Sequence, residues 1–179
     1  MRERLGELAM EGASFQIALE ERPEPGPTGG DAVEFLIAPN PGVPAGPVRE
    51  IASGGELSRV MLALLSVAHD GGAATLVFDE VDAGIGGHTA RAVGERLRAL
   101  ASGDGEHGRQ VLCITHLPPI ASVADRHFRI AKDISTSPAR ATVEELERDD
   151  VVAELVRMLG GDEDDGAARR HARELLKAA

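Results

Sequence analysis

Three short stretches carry side chains whose types and spacing could do chemistry. Ser53-Gly54-Gly55 stands immediately before an apolar helical pattern. Two glycines at that place let the backbone come close to a ligand. The first N–H groups of the helix are unpaired and point outward, with the positive end of the helix dipole behind them. Ser53 adds a hydroxyl donor, so the stretch can hold a phosphate. An ordinary Ser/Gly helix cap uses the same residues. What turns the reading toward phosphate is Glu56-Leu57-Ser58-Arg59 directly after it and, further on, an apolar strand that ends in two acids.

Those acids are Asp79 and Glu80, after Leu76-Val77-Phe78. Two charges at the end of a buried strand are costly unless they have a cation or a proton to handle. Asp79 suits Mg²⁺, directly or through water. Glu80 can point at an attacking water and orient or deprotonate it. The plainer alternative is a strand ending in a solvated acidic turn. Asp82 follows in a loop of small residues, Ala83-Gly84-Ile85-Gly86-Gly87. There it can cap the helix beginning near His88, or hydrogen-bond across a dimer interface.

His116 closes a second apolar strand, Val111 to Thr115. A lone histidine is more often structural, but on a strand beside that of Glu80 it can touch a terminal phosphate. The other histidines (His69, His88, His107, His127, His171) show no metal spacing, and no CxxC occurs. The phosphate-cradling pattern G-x-x-x-x-G-K-[ST] is also missing, since neither Lys132 nor Lys177 follows a glycine. The chain is therefore expected to lack a cradle for a β-phosphate and not to form a complete ATPase site alone.

These groups need elements to position them. Leu57, Val60, Met61, Leu64, Leu65 and Ala68 recur at helical spacing and predict a helix over Glu56 to Ala68, closed by Gly71-Gly72. Thr75 to Phe78 reads as a central strand of a parallel sheet. His88 to Leu100 predicts a helix with Val93, Leu97 and Leu100 on one face. Ser102 to Gly108 is a polar loop, and Val111 to Thr115 a buried strand. Ahead of this block, Leu5 and Leu8 suit the end of a helix. Ser14 to Leu19 and Val33 to Ala38 suit an antiparallel hairpin with a long loop, Glu21 to Gly30, between them. Pro39 to Pro47, with four prolines and two glycines, predicts no regular structure. Beyond it come a short helix at Ile120 to Ala124, strands at His127 to Ala131 and Ala141 to Leu146, a helix over Val151 to Leu159 capped by Asp149 or Asp150, and a last helix over Gly166 to Lys177. Asp162-Glu163-Asp164-Asp165 reads as an acidic surface loop. Alternating strands and helices argue for an α/β layer of parallel strands, with the chemistry at their carboxyl ends.

Composition narrows the class. The 179 residues make a single domain the default, with two small lobes possible. A 42% hydrophobic share supports a core, which Leu, Val, Ile and Ala must fill because Trp and Tyr are absent. Cys113 is the only cysteine, which excludes an internal disulfide, and its apolar neighbours predict burial. No stretch reaches the ~20 apolar residues of a membrane helix, and the N-terminus has too short an apolar run for a signal peptide. A cytoplasmic chain is expected. The net charge of −11 repels nucleic-acid phosphates, so weak or no DNA binding is expected of this chain by itself.

In order and spacing, SGGE with LSR, LVFDE, the loop carrying Asp82, and TH resemble the signature, Walker B, D-loop and H-loop series of ABC-type ATPases, which transporters and SMC proteins share. FLIAPNPG, IASGGELSRVMLAL, EVDAGIGG, THLPPIA and VRMLGG resemble more narrowly the RecN family of bacterial SMC-like double-strand-break repair proteins. The resemblance runs from about Leu8 to Leu176, against the C-terminal third of that family. It implies the C-terminal lobe of a P-loop NTPase-like ABC/SMC ATPase head, with a parallel-strand core flanked by helices and a small N-terminal β-hairpin. Residues 1–10 would be the end of a coiled-coil helix and 11–179 the lobe. Ser53, Gly54, Gly55 and Glu56 would bind, in trans, ATP held by a partner head. Asp79 would support Mg²⁺, Glu80 would be the general base, His116 would sense the γ-phosphate, and Asp82 would couple the two sites. The implied partners are the N-terminal lobe, a second head in an ATP-dependent dimer, and DNA through the full-length, nucleoid-associated protein. Ala52 departs from the usual leucine before the signature serine. Two other readings are a non-catalytic dimerisation or regulatory module and a fragment of a transporter nucleotide-binding domain. Pro39 to Gly42 and Asp82 to Gly87 speak against the transporter.

Overall fold

The structure, a computed structural model, describes residues 1–67, 75–102, 109–133, 140–162 and 164–179. The expected helix end at Ala68 with its Gly71-Gly72 stop, the loop at 103–108, His69, His107 and Glu163 lie outside the described residues. The chain divides into two compact units, Met1–Ile114 and Thr115–Ala179.

In the first unit, α1 (Arg2–Glu7) is the helix that Leu5 and Leu8 predict, and both side chains are fully buried. It packs on α3 (Gly54–Leu65) and α4 (Gly87–Ser102). β1 (Ser14–Gly26) and β2 (Gly29–Ala38) pair antiparallel, with Ile17 opposite Phe35 and Leu19 opposite Val33. The hairpin is longer than expected. Glu21 to Gly30 is not a loop: pairing continues to Glu21 opposite Asp31, shifts register, and resumes at Gly26 opposite Gly29. β1 lies at the sheet edge, and Pro23 and Pro25 fall where the ladder is interrupted, so their missing N–H groups cost no pairing. Gly29 supplies a positive φ of 108° at the turn. β3 is only Gly46–Pro47, paired with β2, and a short α2 (Val48–Ile51) follows. The proline-rich stretch is otherwise without regular structure, as expected.

β4 (Thr75–Phe78) and β5 (Gln110–Cys113) pair in parallel, and the Ile114 N–H donates to the Phe78 carbonyl at 3.0 Å. α4 packs on β5 and buries Ala90, Val93, Leu97 and Leu100. Neither strand is buried on both faces, contrary to expectation. The pleat puts Leu76 and Phe78 on one side and Val77 on the other, and Val77 is 65% exposed. Among the described residues this parallel pair is the whole sheet. The remaining strands are antiparallel, so parallel pairing is confined to the two strands beside the candidate chemistry.

In the second unit, α5 (Pro118–Ala121) opens on two prolines, which fit a first helical turn because its N–H groups have no partner there. β6 (His127–Asp133) and β7 (Arg140–Leu146) form an antiparallel hairpin. α6 (Arg148–Met158) and α7 (Gly166–Lys177) close a core of Leu146, Val151, Leu155, Val156 and Ala172. The N-cap of α6 is Glu147, with no side-chain cap bond. Asp149 and Asp150 lie in its first turn, where they favour the helix dipole instead of capping it. Gly160, at φ 78°, ends α6, and Asp165 caps α7 by accepting from the N–H groups of Ala167 and Ala168. Among the described residues no helix is long and apolar enough to cross a membrane.

Candidate functional site

The N-terminus of α3 is built by a reciprocal cap. Ser53 stands at the N-cap in an extended conformation, and its hydroxyl accepts from the Glu56 N–H at 3.4 Å. The Glu56 carboxylate reaches back and accepts from the Ser53 N–H and the Ser53 hydroxyl, each at 2.8 Å. This capping box starts the helix one turn before the apolar periodicity does. The bonds from the Ser53 backbone and hydroxyl hold the Glu56 carboxyl below its ordinary pKa. Ser53 and Gly54 are exposed, so the positive end of α3 opens to solvent.

The two glycines have a second use. A Cβ on Gly55 would stand 2.8 Å from the Ala83 Cβ and 3.0 Å from the Glu80 carbonyl oxygen. A Cβ on Gly54 would collide with the Glu80 carboxylate. The Glu80 carboxylate is exposed and can swing away from position 54, but at position 55 only glycine lets the first turn of α3 lie this close to the backbone of the turn that leaves β4. Gly55 is thus required by packing within the chain, whatever its backbone offers a phosphate.

That turn is unusual. Glu80 has a φ of +56°, a left-handed backbone that side-chain-bearing residues seldom adopt. The Glu80 N–H donates to Asp79 Oδ1 at 3.0 Å, and the Ala83 N–H donates to the Glu80 carbonyl at 3.0 Å. Ser58 Oγ donates to the Asp79 carbonyl at 2.7 Å. Arg59 Nη1 donates to the carbonyls of Ala83 at 2.8 Å and Val81 at 3.4 Å. Asp79 and Glu80 are exposed, whereas Val81 and Asp82 are buried. α4 begins at Gly87, so its N-cap position is Gly86 and Asp82 is not the cap.

The structure therefore brings together Ser53, Gly54, Gly55, Glu56, Asp79, Glu80 and Asp82 on the first unit. His116 is an exposed residue of the second unit and is described by itself. Cys113 pairs with Phe78 across the parallel strands, and burial, with Asp82 and Asp79 nearby, pushes its thiol up to about 12.

No protein-family model matches the chain. Curated relatives do. The chain is 45% identical over 188 aligned positions to the DNA repair protein RecN of Streptomyces coelicolor, which takes in 98% of this chain and 32% of that protein. It is 46% identical to RecN of Treponema pallidum, over 97% of this chain and 31% of that protein. This chain is a RecN-family segment. It spans about a third of the length of the relatives it matches. Among solved structures, its fold is similar to a chain from work on ATP-driven dimerization and DNA-stimulated activation of SMC ATPases, at 16% identity and a TM-score of 0.52, over 90% of this chain and 89% of that one. It is also similar to the Smc head domain with an extended coiled coil, bound to the C-terminal domain of ScpA, from Pyrococcus furiosus, at 24% identity and a TM-score of 0.53, over 87% and 36%. At these identities the likeness establishes an SMC-head fold and nothing further.

For a RecN-family segment the donor set near Asp79 can be tested against Mg²⁺. Among the described residues no group of three or more His, Cys, Asp or Glu forms a cage for a metal. Mg²⁺ does not need one, because it keeps several waters and binds through one or two carboxylates together with phosphate oxygens. An exposed Asp79 carboxylate at the end of β4 fits that use. Arg59 is the residue whose importance the motif alone understated. In sequence it is one letter of the signature stretch. In the structure it is 6% exposed, burial lowers its pKa, and its Nε has no hydrogen-bond partner. Its helical phase was the available signal, since it stands beside Val60 on the side of α3 that faces the core.

Proposed function

We propose that this chain is the C-terminal part of an ATPase head in a RecN-type DNA repair protein, acting with an N-terminal lobe and a second head. The observation that carries the reading is the contact between the N-terminus of α3 and the acid turn. An exposed Ser53-Gly54 start of α3, an exposed Asp79 and a left-handed Glu80 are fixed to one another by bonds from the Ser58 and Arg59 side chains to main-chain carbonyls of the turn.

In this reading Ser53 and the first N–H groups of α3 bind the terminal phosphate of ATP held by the partner head. Mg²⁺, bound through Asp79, supplies charge neutralisation at the phosphates. Glu80 accepts a proton from the attacking water. The water oxygen bonds to the γ-phosphorus, and the bond from that phosphorus to the β,γ-bridging oxygen breaks, releasing ADP. His116 contacts the γ-phosphate, and buried Asp82 carries the state of one site to the other head. DNA would meet the longer protein, since the net charge of −11 disfavours phosphate binding here. A second reading, a head segment that binds but does not hydrolyse, is favoured by one observation. Both Ser53 donors are already taken by Glu56.

The deciding experiment measures ATP hydrolysis by the chain alone and mixed with a separately made N-terminal lobe, each with Glu80 and with Glu80→Gln. Silence alone and Glu80-dependent turnover in the mixture support the ATPase head. A mixture that binds ATP and never turns it over favours the binding segment.

A further inference from the structure

We propose that Arg59 is a positioning residue for Glu80: its buried guanidinium holds the backbone turn that sets where the Glu80 carboxylate points. The inference rests on the ATPase reading above and names a residue that this reading leaves without a role.

Arg59 is buried beneath the turn; Glu56, on the same helix, acts on it through space, but among the described residues no carboxylate is in salt-bridge contact with it. Its acceptors are main-chain oxygens, those of Val81 and Ala83. A buried cation with no carboxylate in contact is a poor device for stability, because apolar side chains of the same volume serve as well or better. It is a good device for fixing a backbone, because one planar group reaches two carbonyls at set directions. Ser58, next to Arg59 on α3, holds the Asp79 carbonyl. The two residues thus grip the carbonyls of positions 79, 81 and 83, on both sides of Glu80. Glu80, between those anchors, is held at +56°, a conformation it would leave readily in a free loop. Its carboxylate comes to rest over Gly54, at the mouth of α3. The helix whose N-terminus receives phosphate and the turn that carries the base are one rigid piece, with Arg59 as its pin.

The test uses this chain mixed with the N-terminal lobe and compares wild type, Glu80→Gln, Arg59→Lys and Arg59→Met. The readouts are kcat, KM for ATP, the unfolding midpoint by circular dichroism, and the amide NMR signals of Val81 and Ala83. Misplacing a reacting group by about 1 Å costs on the order of 100-fold in rate. Arg59→Met is therefore expected to lower kcat by about that factor while KM stays within about twofold. Arg59→Lys, with its charge kept but the fork lost, is expected to fall between, with the Val81 and Ala83 amides shifted. Should Arg59→Met fail to fold, Arg59→Lys decides. An unchanged kcat in folded Arg59→Lys overturns the proposal. So does a loss that appears in KM, or one that follows the unfolded fraction. Wild-type turnover by Glu80→Gln would instead overturn the ATPase reading itself.

Discussion

The acid turn after β4 and the β6–β7 hairpin hold their charges in opposite ways. On the hairpin, Arg126 meets both oxygens of Glu145 at 2.7 Å and lies 5.4 Å from the Phe128 ring centre, and Arg129 meets Glu144 at 2.7 Å. These groups are exposed, and the hydrogen bonds they donate to their carboxylate partners raise the pKa of both arginines. At the turn, Arg59 is buried, desolvation lowers its pKa, and it serves carbonyls. Surface pairs trade water for a partner at little net gain and can be removed singly. A buried donor cannot, because its removal leaves carbonyls unsatisfied in a dry place. Arginine thus decorates one region and fixes geometry in the other.

The largest expected effect breaks the comparison at its chemical end. Glu80→Gln should cost the assembled head about 100- to 10,000-fold in kcat, the range of a lost general base, and leave the unfolding midpoint unchanged. Single-turnover hydrolysis with radiolabelled ATP checks it. Next, Gly55→Ala drives a methyl into Ala83 and the Glu80 carbonyl. Urea unfolding should show a loss of roughly 1–3 kcal/mol, the usual cost of overpacking. Ser53→Ala removes half of the capping box and should cost about 1 kcal/mol.

The Glu56 half of that box has a pH signature. Its folded pKa lies below the unfolded value of 4.5, so its contribution is complete above that value and is lost as pH falls through the lower, folded one. Acid unfolding of Glu56→Gln should lack this part of the wild-type slope. The smallest effect belongs to the hairpin. Arg126→Ala and Arg129→Ala should leave the unfolding midpoint where it is, by the same urea titration. A loss at Arg129 as large as that of Gly55→Ala would erase the contrast between the two regions.

Some elements were legible because their instructions are local. Gly166 to Lys177 is the helix expected there, although its cap, Asp165, stood in what read as an acidic surface loop, and Thr75 to Phe78 is the short strand its flanking turns describe. The cap at Ser53 was legible for the same reason, since Ser53 and Glu56 complete it by themselves. The hairpin loop at Glu21 to Gly30 was misread, because proline and glycine mark a break in pairing as readily as the end of a strand. Burial of β4 was also misread. Three apolar residues, Leu76 to Phe78, show that a strand can be covered on both faces, not that the described residues cover it.

The sequence by itself determined the chemical inventory and its order: a capped helix start, two adjacent acids, a small-residue loop and a histidine, which the structure places past the end of β5 at Cys113 and not at a strand end. It also determined the family, through wording rather than periodicity. Only the tertiary structure decided that Glu80 is left-handed, that its carboxylate lies over Gly54, that Arg59 is buried, and that Gly55 is needed for close packing. The physical reason is range. A cap or an apolar stripe is settled within a turn of helix, while the bonds that set the acid turn join residues 21 to 24 positions apart. Contacts at that separation exist only after α3 has met the turn that follows β4.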